Sequence, residues 1–147
     1  MAPILENSLS FLADKFCRRG VQVERRFGST PEIRGDSEKL QQLFLNILLN
    51  GVDAMPQGGK IGVILDTDAS GGVEVRIRDT GVGIPREQPS QIFEPFYTTK
   101  AAGHGSGLGL VVAREIVSDH NGEIDVTSEL GKGAEFRIRF PPLPSSR

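Results

Sequence analysis

From Asp79 to Ser106 the chain shows no apolar periodicity. It carries Pro85, Pro89 and Pro95 there and runs into glycine at positions 103, 105, 107 and 109. Neither a helix nor a strand suits that composition, because proline removes backbone donors and glycine is costly to order. Irregular stretches this long inside a compact domain are usually functional or mobile. The core must therefore come from the segments on either side. The chain has 147 residues, which fits one domain at roughly 100–200 residues each. A chain of this size buries roughly 68–70% of its unfolded surface and needs no covalent staples. Cys17 is the only cysteine, which excludes an internal disulfide framework and a cysteine-based zinc site. His104 and His120 are the only histidines and do not make a metal cluster. Seventeen Lys and Arg against nineteen Asp and Glu leave a net charge of −2, so no basic excess points to nucleic acid. No apolar run reaches the ~18 residues of a membrane span, and no signal-peptide pattern is present.

Before the irregular stretch, Ile4, Leu5, Leu9, Leu12 and Phe16 have the spacing of one amphipathic helix over Ile4–Arg19, stopped by Gly20. Val21–Phe27 alternates as a strand, and Glu32-Ile-Arg34 reads as a short partner. Asp36 is an N-cap, with Glu38 favourably placed in the first turn, for a helix running to about Ala54. Ile61–Leu65 and Val73–Ile77 read as a hairpin, and so do Ile124–Val126 and Phe136–Phe140. Leu108–His120 is the third helix, with His120 at its end, and residues 141–147 are a Pro/Ser-rich tail or linker after a domain spanning 4–140. The alternation of Val73, Val75 and Ile77 with Glu74, Arg76 and Arg78 leaves one sheet face wet. The fold class is α+β: three helices on one face of a mixed, mostly antiparallel sheet.

Three segments carry chemistry. With Asn46 at zero on a helical wheel, Asn50 lies at about 40° and Asp53 at about −20°, opposite Leu43, Phe44, Ile47 and Leu48. Asparagine is a poor residue for a helix interior. The stripe is either a solvated face or a polar floor under a ligand, and its hard oxygens suit Mg²⁺. The run Asp79-Thr-Gly81-Val-Gly83 is a simple turn, one half of an aspartic-protease pair, or a carboxylate that accepts from a base amine. Gly103 to Gly109 is a flexible linker or a cradle of backbone N–H groups for an anion at the start of the third helix, with Lys100 close by. Neither a Walker-type loop nor a Rossmann fingerprint is present. Phe93 and Phe96 read as anchors for the loop.

In this order the segments resemble the catalytic and ATP-binding domain of bacterial sensor histidine kinases. The correspondence covers an N box (Asn46–Asp53), a first glycine box (Asp79–Gly83), an F box (Phe93–Phe96) and a second glycine box (Gly105–Gly109), with the strings DTGVGIP, FEPFYTTK and GSGLGL. The resemblance spans about Ile4 to Phe140. It implies a Bergerat-type two-layer α/β sandwich, shared with gyrase, mismatch-repair and heat-shock chaperone ATPases. It also implies ATP and Mg²⁺ as cofactors. Asn50 would be the Mg²⁺ ligand and Asn46 its neighbour at the phosphates, with Lys100 reaching the γ-phosphate; these three form the implied catalytic set. Asp79 would hold the adenine amine in a pocket shaped by Gly81 and Gly83. Gly103, Gly105, Gly107 and Gly109 would wrap the triphosphate beneath a lid from Pro85 to His104. Asp53, Ile84, Thr99, His104, Ser106 and Leu108 complete the implied binding set. Gly51 departs from the family, where alanine is usual, at a cost in helix propensity of about 1 kcal/mol.

Related hydrolases carry a water-activating glutamate at position 46, and asparagine cannot act as that base. The implied activity is therefore transfer of the γ-phosphoryl group to a histidine on a separate helical-hairpin domain, which this chain lacks. The alternative is a nucleotide-binding module of the same fold that transfers nothing. The resemblance further implies a downstream response-regulator receiver domain as partner, a homodimeric parent and a monomeric fragment. It implies no nucleic acid, no direct membrane contact from this segment, and a cytoplasmic place whether or not the parent is membrane-anchored.

Overall fold

The computed structural model describes residues 1–31, 33, 35–55, 57–81, 109–129 and 133–142. The elements in chain order are α1 (Ala2–Phe11), α2 (Ala13–Arg19), β1 (Val21–Phe27), α3 (Ser37–Asp53), β2 (Gly59–Thr67), β3 (Val73–Asp79), α4 (Gly109–Asp119), β4 (Glu123–Glu129) and β5 (Gly133–Phe140). The α+β class expected from the sequence is what forms, with one difference at the N-terminus. The single amphipathic helix expected there is two helices that meet at Leu12. Leu12 leaves helical geometry at φ −99°, ψ 3°, and in the turn before it the buried Ser8 hydroxyl bonds back to the Ile4 carbonyl at 2.9 Å. Back-bonding of this kind bends helices. Leu5, Leu9, Leu12 and Phe16 are buried on both sides of the break. The apolar spacing is therefore continuous even though the backbone is not, and spacing alone reads as one helix. Gly20 then ends α2 in the left-handed region at φ 70°, where a side chain would be strained.

Asp36 caps α3 as expected, its carboxylate accepting from the N–H groups of Glu38 and Lys39. Leu40, Leu43, Phe44, Ile47, Leu48 and Val52 carry the apolar face of α3 into the core. Because α3 crosses between β1 and β2, those two strands run parallel. The remaining pairs are antiparallel, and the strand order is β1-β2-β3-β5-β4. Register places Ile61 opposite Asp79, Val63 opposite Ile77 and Leu65 opposite Val75. Val75 and Ile77 in turn face Ile138 and Phe136. These residues form the inner face and are buried against the helices.

The other face carries charge, as the alternation in β3 predicts, but the charges are paired. Glu74 is only 7% exposed and accepts from Arg76 at 3.0 Å and Arg137 at 2.6 Å. Arg78 pairs with Glu135, and Arg139 with Asp125 and Glu123. Burial pushes the Glu74 carboxyl up, and the two arginines more than offset it, so the group sits below the usual glutamate range. No helix among the described residues is long and apolar enough to cross a membrane. Of the short strand expected at Glu32-Ile-Arg34, Ile33 is described and is not in a strand, while Glu32, Arg34, the F box and the tail from residue 143 lie outside the described residues.

Candidate functional site

The polar stripe of α3 lies where the wheel places it. Asn46, Asn50 and Asp53 are each half-buried, opposite the apolar face that fills the core. The Asn46 amide Nδ2 donates to the Gly109 carbonyl at 3.1 Å. That bond joins residues far apart in sequence and sets the first residue of α4 against the middle of α3. The N box and the last glycine of the second glycine box are thus neighbours. None of the described groups hydrogen-bonds the Asn50 side chain.

Asp79 ends β3 on the inner face, 4% exposed. Burial raises its carboxyl above the ordinary aspartate value, while backbone N–H groups of Gly81 and Ala134 oppose that rise. Its Oδ1 takes the Gly81 N–H at 2.8 Å. An acceptor this buried and this poorly hydrated is suited to a neutral donor such as an exocyclic amine. The glycine at 81 is a matter of space. A Cβ built there would lie 2.5 Å from the Ala54 carbonyl oxygen and 2.8 Å from the Ala54 Cβ. Only glycine lets the turn after β3 close against the end of α3, and this closure brings Asp79 to the stripe.

Several contacts that hold these elements together are absent from the sequence expectation. The Thr80 hydroxyl accepts from the Lys60 N–H at 3.1 Å and approaches the Met55 sulfur at 3.5 Å, tying the turn to β2 and to the segment after α3. Its position inside the glycine box was the available signal. Gly51 is buried on α3 with its missing side chain aimed at Asp79 and Ile61. His120 accepts from the Asp36 N–H through Nε2 at 3.0 Å, and its Nδ1 donates to the Ile116 carbonyl at 2.7 Å. It therefore joins the end of α4 to the start of α3, a contact that no local pattern signals.

The structure thus brings together Asn46, Asn50, Asp53, Asp79, Gly81 and Gly109. Gly83, Ile84, Thr99, Lys100, Gly103, His104, Gly105, Ser106, Gly107 and Leu108 lie outside the described residues. Among the described residues no cluster of His, Cys, Asp and Glu has the composition of a self-sufficient metal site.

Residues 35–144 match the family model described as histidine kinase-, DNA gyrase B-, and HSP90-like ATPase. Sporulation kinase C of Bacillus subtilis (strain 168) is 37% identical over 140 residues, covering 94% of this chain and 32% of that protein. Sensor histidine kinase ZraS of Escherichia coli (strain K12) is 37% identical over 139 residues, covering 94% of this chain and 29% of that protein. The chain therefore spans less than a third of the length of these relatives. Among solved structures, the mycobacterial sensor histidine kinase MprB superposes with a TM-score of 0.83 at 31% identity, covering 99% of this chain and 96% of that one. Full-length ShkA in complex with AMPPNP superposes with a TM-score of 0.85 at 27% identity, covering 99% of this chain and 30% of that one. With the N-box helix, the buried Asp79 and the sheet order already placed, the chain belongs to the histidine kinase-, DNA gyrase B- and HSP90-like ATPase family, as a catalytic and ATP-binding domain of the bacterial sensor histidine kinase type.

Proposed function

We propose that the chain binds Mg-ATP and donates the γ-phosphoryl group to a histidine on a separate helical-hairpin domain, as the catalytic part of a two-component sensor kinase. The observation that carries this reading is one convergence. The Asn46–Asn50–Asp53 stripe, the start of α4 and the buried Asp79 carboxylate lie along the C-terminal half of α3. The fit to the nucleotide rests on two features of the fold. Asp79 is a desolvated acceptor at the base end, and the stripe supplies the amide oxygens of Asn46 and Asn50 with the Asp53 carboxylate. In this reading Asp79 accepts the adenine amine, and Gly81 keeps the turn flat enough for the ring. Asn50 and Asn46 face the phosphates together with the N-terminus of α4, whose unpaired backbone N–H groups favour an anion. Mg²⁺ held at Asn50 would neutralise charge on the phosphate oxygens. Lys100, Thr99, His104 and the glycines from 103 onward complete the phosphate end, and Gly83 and Ile84 the base end.

Asn46 also bears on the direction of the chemistry. An amide cannot take a proton from water, so the site has no general base at that position and water attack is slow. Phosphoryl transfer needs chiefly positioning and charge neutralisation, so a positioned imidazole can serve where water does not. His120 is not that imidazole, because both its ring nitrogens are committed to the fold. The partners proposed are the phosphoacceptor hairpin of the parent protein and, beyond it, a receiver domain, in a homodimeric parent whose catalytic domain works in the cytoplasm.

Incubation with γ-labelled ATP and Mg²⁺ tests this. The chain alone should acquire no label, and a hairpin domain from the same parent, added in trans, should acquire acid-labile label. Binding without transfer to the hairpin would instead leave a nucleotide-binding module. Label on His104 or His120, or steady ATP turnover, would contradict the assignment of Asn46.

A further inference from the structure

Gly51 lies within the N box, and the fold places it beside the Asp79 carboxylate. A Cβ built on Gly51 would lie 3.7 Å from Asp79 Oδ2, 3.6 Å from Asp79 Cβ and 3.4 Å from Ile61 Cδ1. All three are ordinary contact distances, so among the described residues no side chain fills the volume of one methyl group beside the carboxylate. The recess is buried, and one of its walls, Ile61, is fully apolar and closed to solvent.

The consequence concerns the ligand. An amine donating to a carboxylate sits about 2.9–3.0 Å from the accepting oxygen. A substituent carried on that nitrogen then reaches a recess that begins beside the same oxygen. A once-methylated amine keeps one N–H for Asp79 and puts its methyl where an alanine at position 51 would have put its own. We propose that Gly51 is a specificity-determining position: it opens the base pocket beside Asp79 to adenine nucleotides bearing one small substituent on the exocyclic amine. This inference rests on the Mg-ATP reading of the site, in particular on Asp79 as the base acceptor.

Competition binding with ATP and N6-methyl-ATP, in the presence of Mg²⁺, tests it on the wild-type chain, Gly51→Ala and Asp79→Asn. The readout is the ratio of the two dissociation constants, which a general loss of stability does not move. The wild-type chain should bind the methylated nucleotide within about threefold of ATP. Gly51→Ala should raise the discrimination at least tenfold, because one methyl in a closed pocket is worth roughly 10- to 200-fold. An unchanged ratio in Gly51→Ala overturns the inference, and so does a wild-type chain that rejects N6-methyl-ATP as strongly as the variant does. Asp79→Asn separates the two readings. If it weakens ATP binding, the base pocket stands and the Gly51 ratio decides. If ATP affinity is unchanged, the base-pocket assignment fails and this inference fails with it.

Discussion

Two glycines flank Asp79, and replacing each by alanine should shift stability in opposite directions. At Gly81 the added Cβ falls 2.5 Å from the Ala54 carbonyl oxygen, 2.9 Å from the Ala54 carbonyl carbon and 2.8 Å from the Ala54 Cβ. Two of these atoms are backbone at the end of α3, so neither can rotate away. The turn must lift off the helix instead. Overpacking of this kind costs about 1–3 kcal/mol, and the lift carries Asp79 away from the N box. At Gly51 the added Cβ meets its neighbours at 3.4–3.7 Å, and the residue lies within α3. Alanine there gains about 1 kcal/mol of helix propensity without displacing anything. For a chain of this length 1 kcal/mol is about 3–4 °C in Tm. Thermal denaturation followed by circular dichroism should place Gly51→Ala above the wild-type chain by about that much, and Gly81→Ala below it by about 3–12 °C. Nucleotide binding, read by fluorescence of a labelled ATP analogue, should fall with Gly81→Ala. Equal Tm shifts for the two variants, or a Gly81→Ala chain with wild-type stability and affinity, would refute the contact geometry around Asp79.

Asp79→Asn should cost roughly 10- to 100-fold in ATP affinity, the worth of one hydrogen bond to a charged group. Its folded carboxyl is raised by burial, so at neutral pH the charged form works against folding. The same substitution should therefore leave the fold at least as stable, as a urea titration at pH 7 will show. Glu74 has the opposite sign. Burial raises it, but Arg137 and Arg76 more than offset that and depress its folded value below the usual glutamate value. Its contribution is complete above that value and is lost as pH falls through and below it, so Glu74→Gln should flatten the acid limb of a stability-against-pH curve. Asp36→Ala removes the side-chain cap from two N–H groups of α3 and should lower unfolding free energy by about 1 kcal/mol in chemical denaturation.

Much of the fold was legible because periodicity reports burial directly. The α3 stripe, the two hairpins and the apolar set of the N-terminal segment all follow from which residues need to leave water. The break at Leu12 was not legible. Leu5, Leu9, Leu12 and Phe16 keep helical spacing across it, while the bend depends on backbone geometry and a Ser8 back-bond that leave no trace in that spacing. The parallel pairing of β1 with β2 was equally hidden, since alternation shows which face a residue takes but not which strand lies beside it. At the site, Asn46, Asn50, Asp53 and Asp79 stand out as polar groups in apolar settings. The use made of Gly51, Ala54 and Met55 arises only when α3 meets the turn after β3, a contact between segments that pattern reading treats separately. Likewise the pairing of Glu74 with Arg137 spans the hairpin order of β3 and β5. A wet face could be read from β3 alone, but the partner of each charge could not.

The central claim is that the C-terminal half of α3, the turn after β3 and the start of α4 form a single nucleotide site. An amide chemical-shift titration of the labelled chain with Mg-ATP tests it most directly. Saturable shifts should concentrate at Asn46, Asn50, Gly51, Asp53, Asp79, Gly81 and Gly109 and spare Glu74, Arg76 and Arg137 on the open sheet face. Shifts centred on that open face, or none at the α3 stripe and Asp79 at saturating nucleotide, would contradict the account.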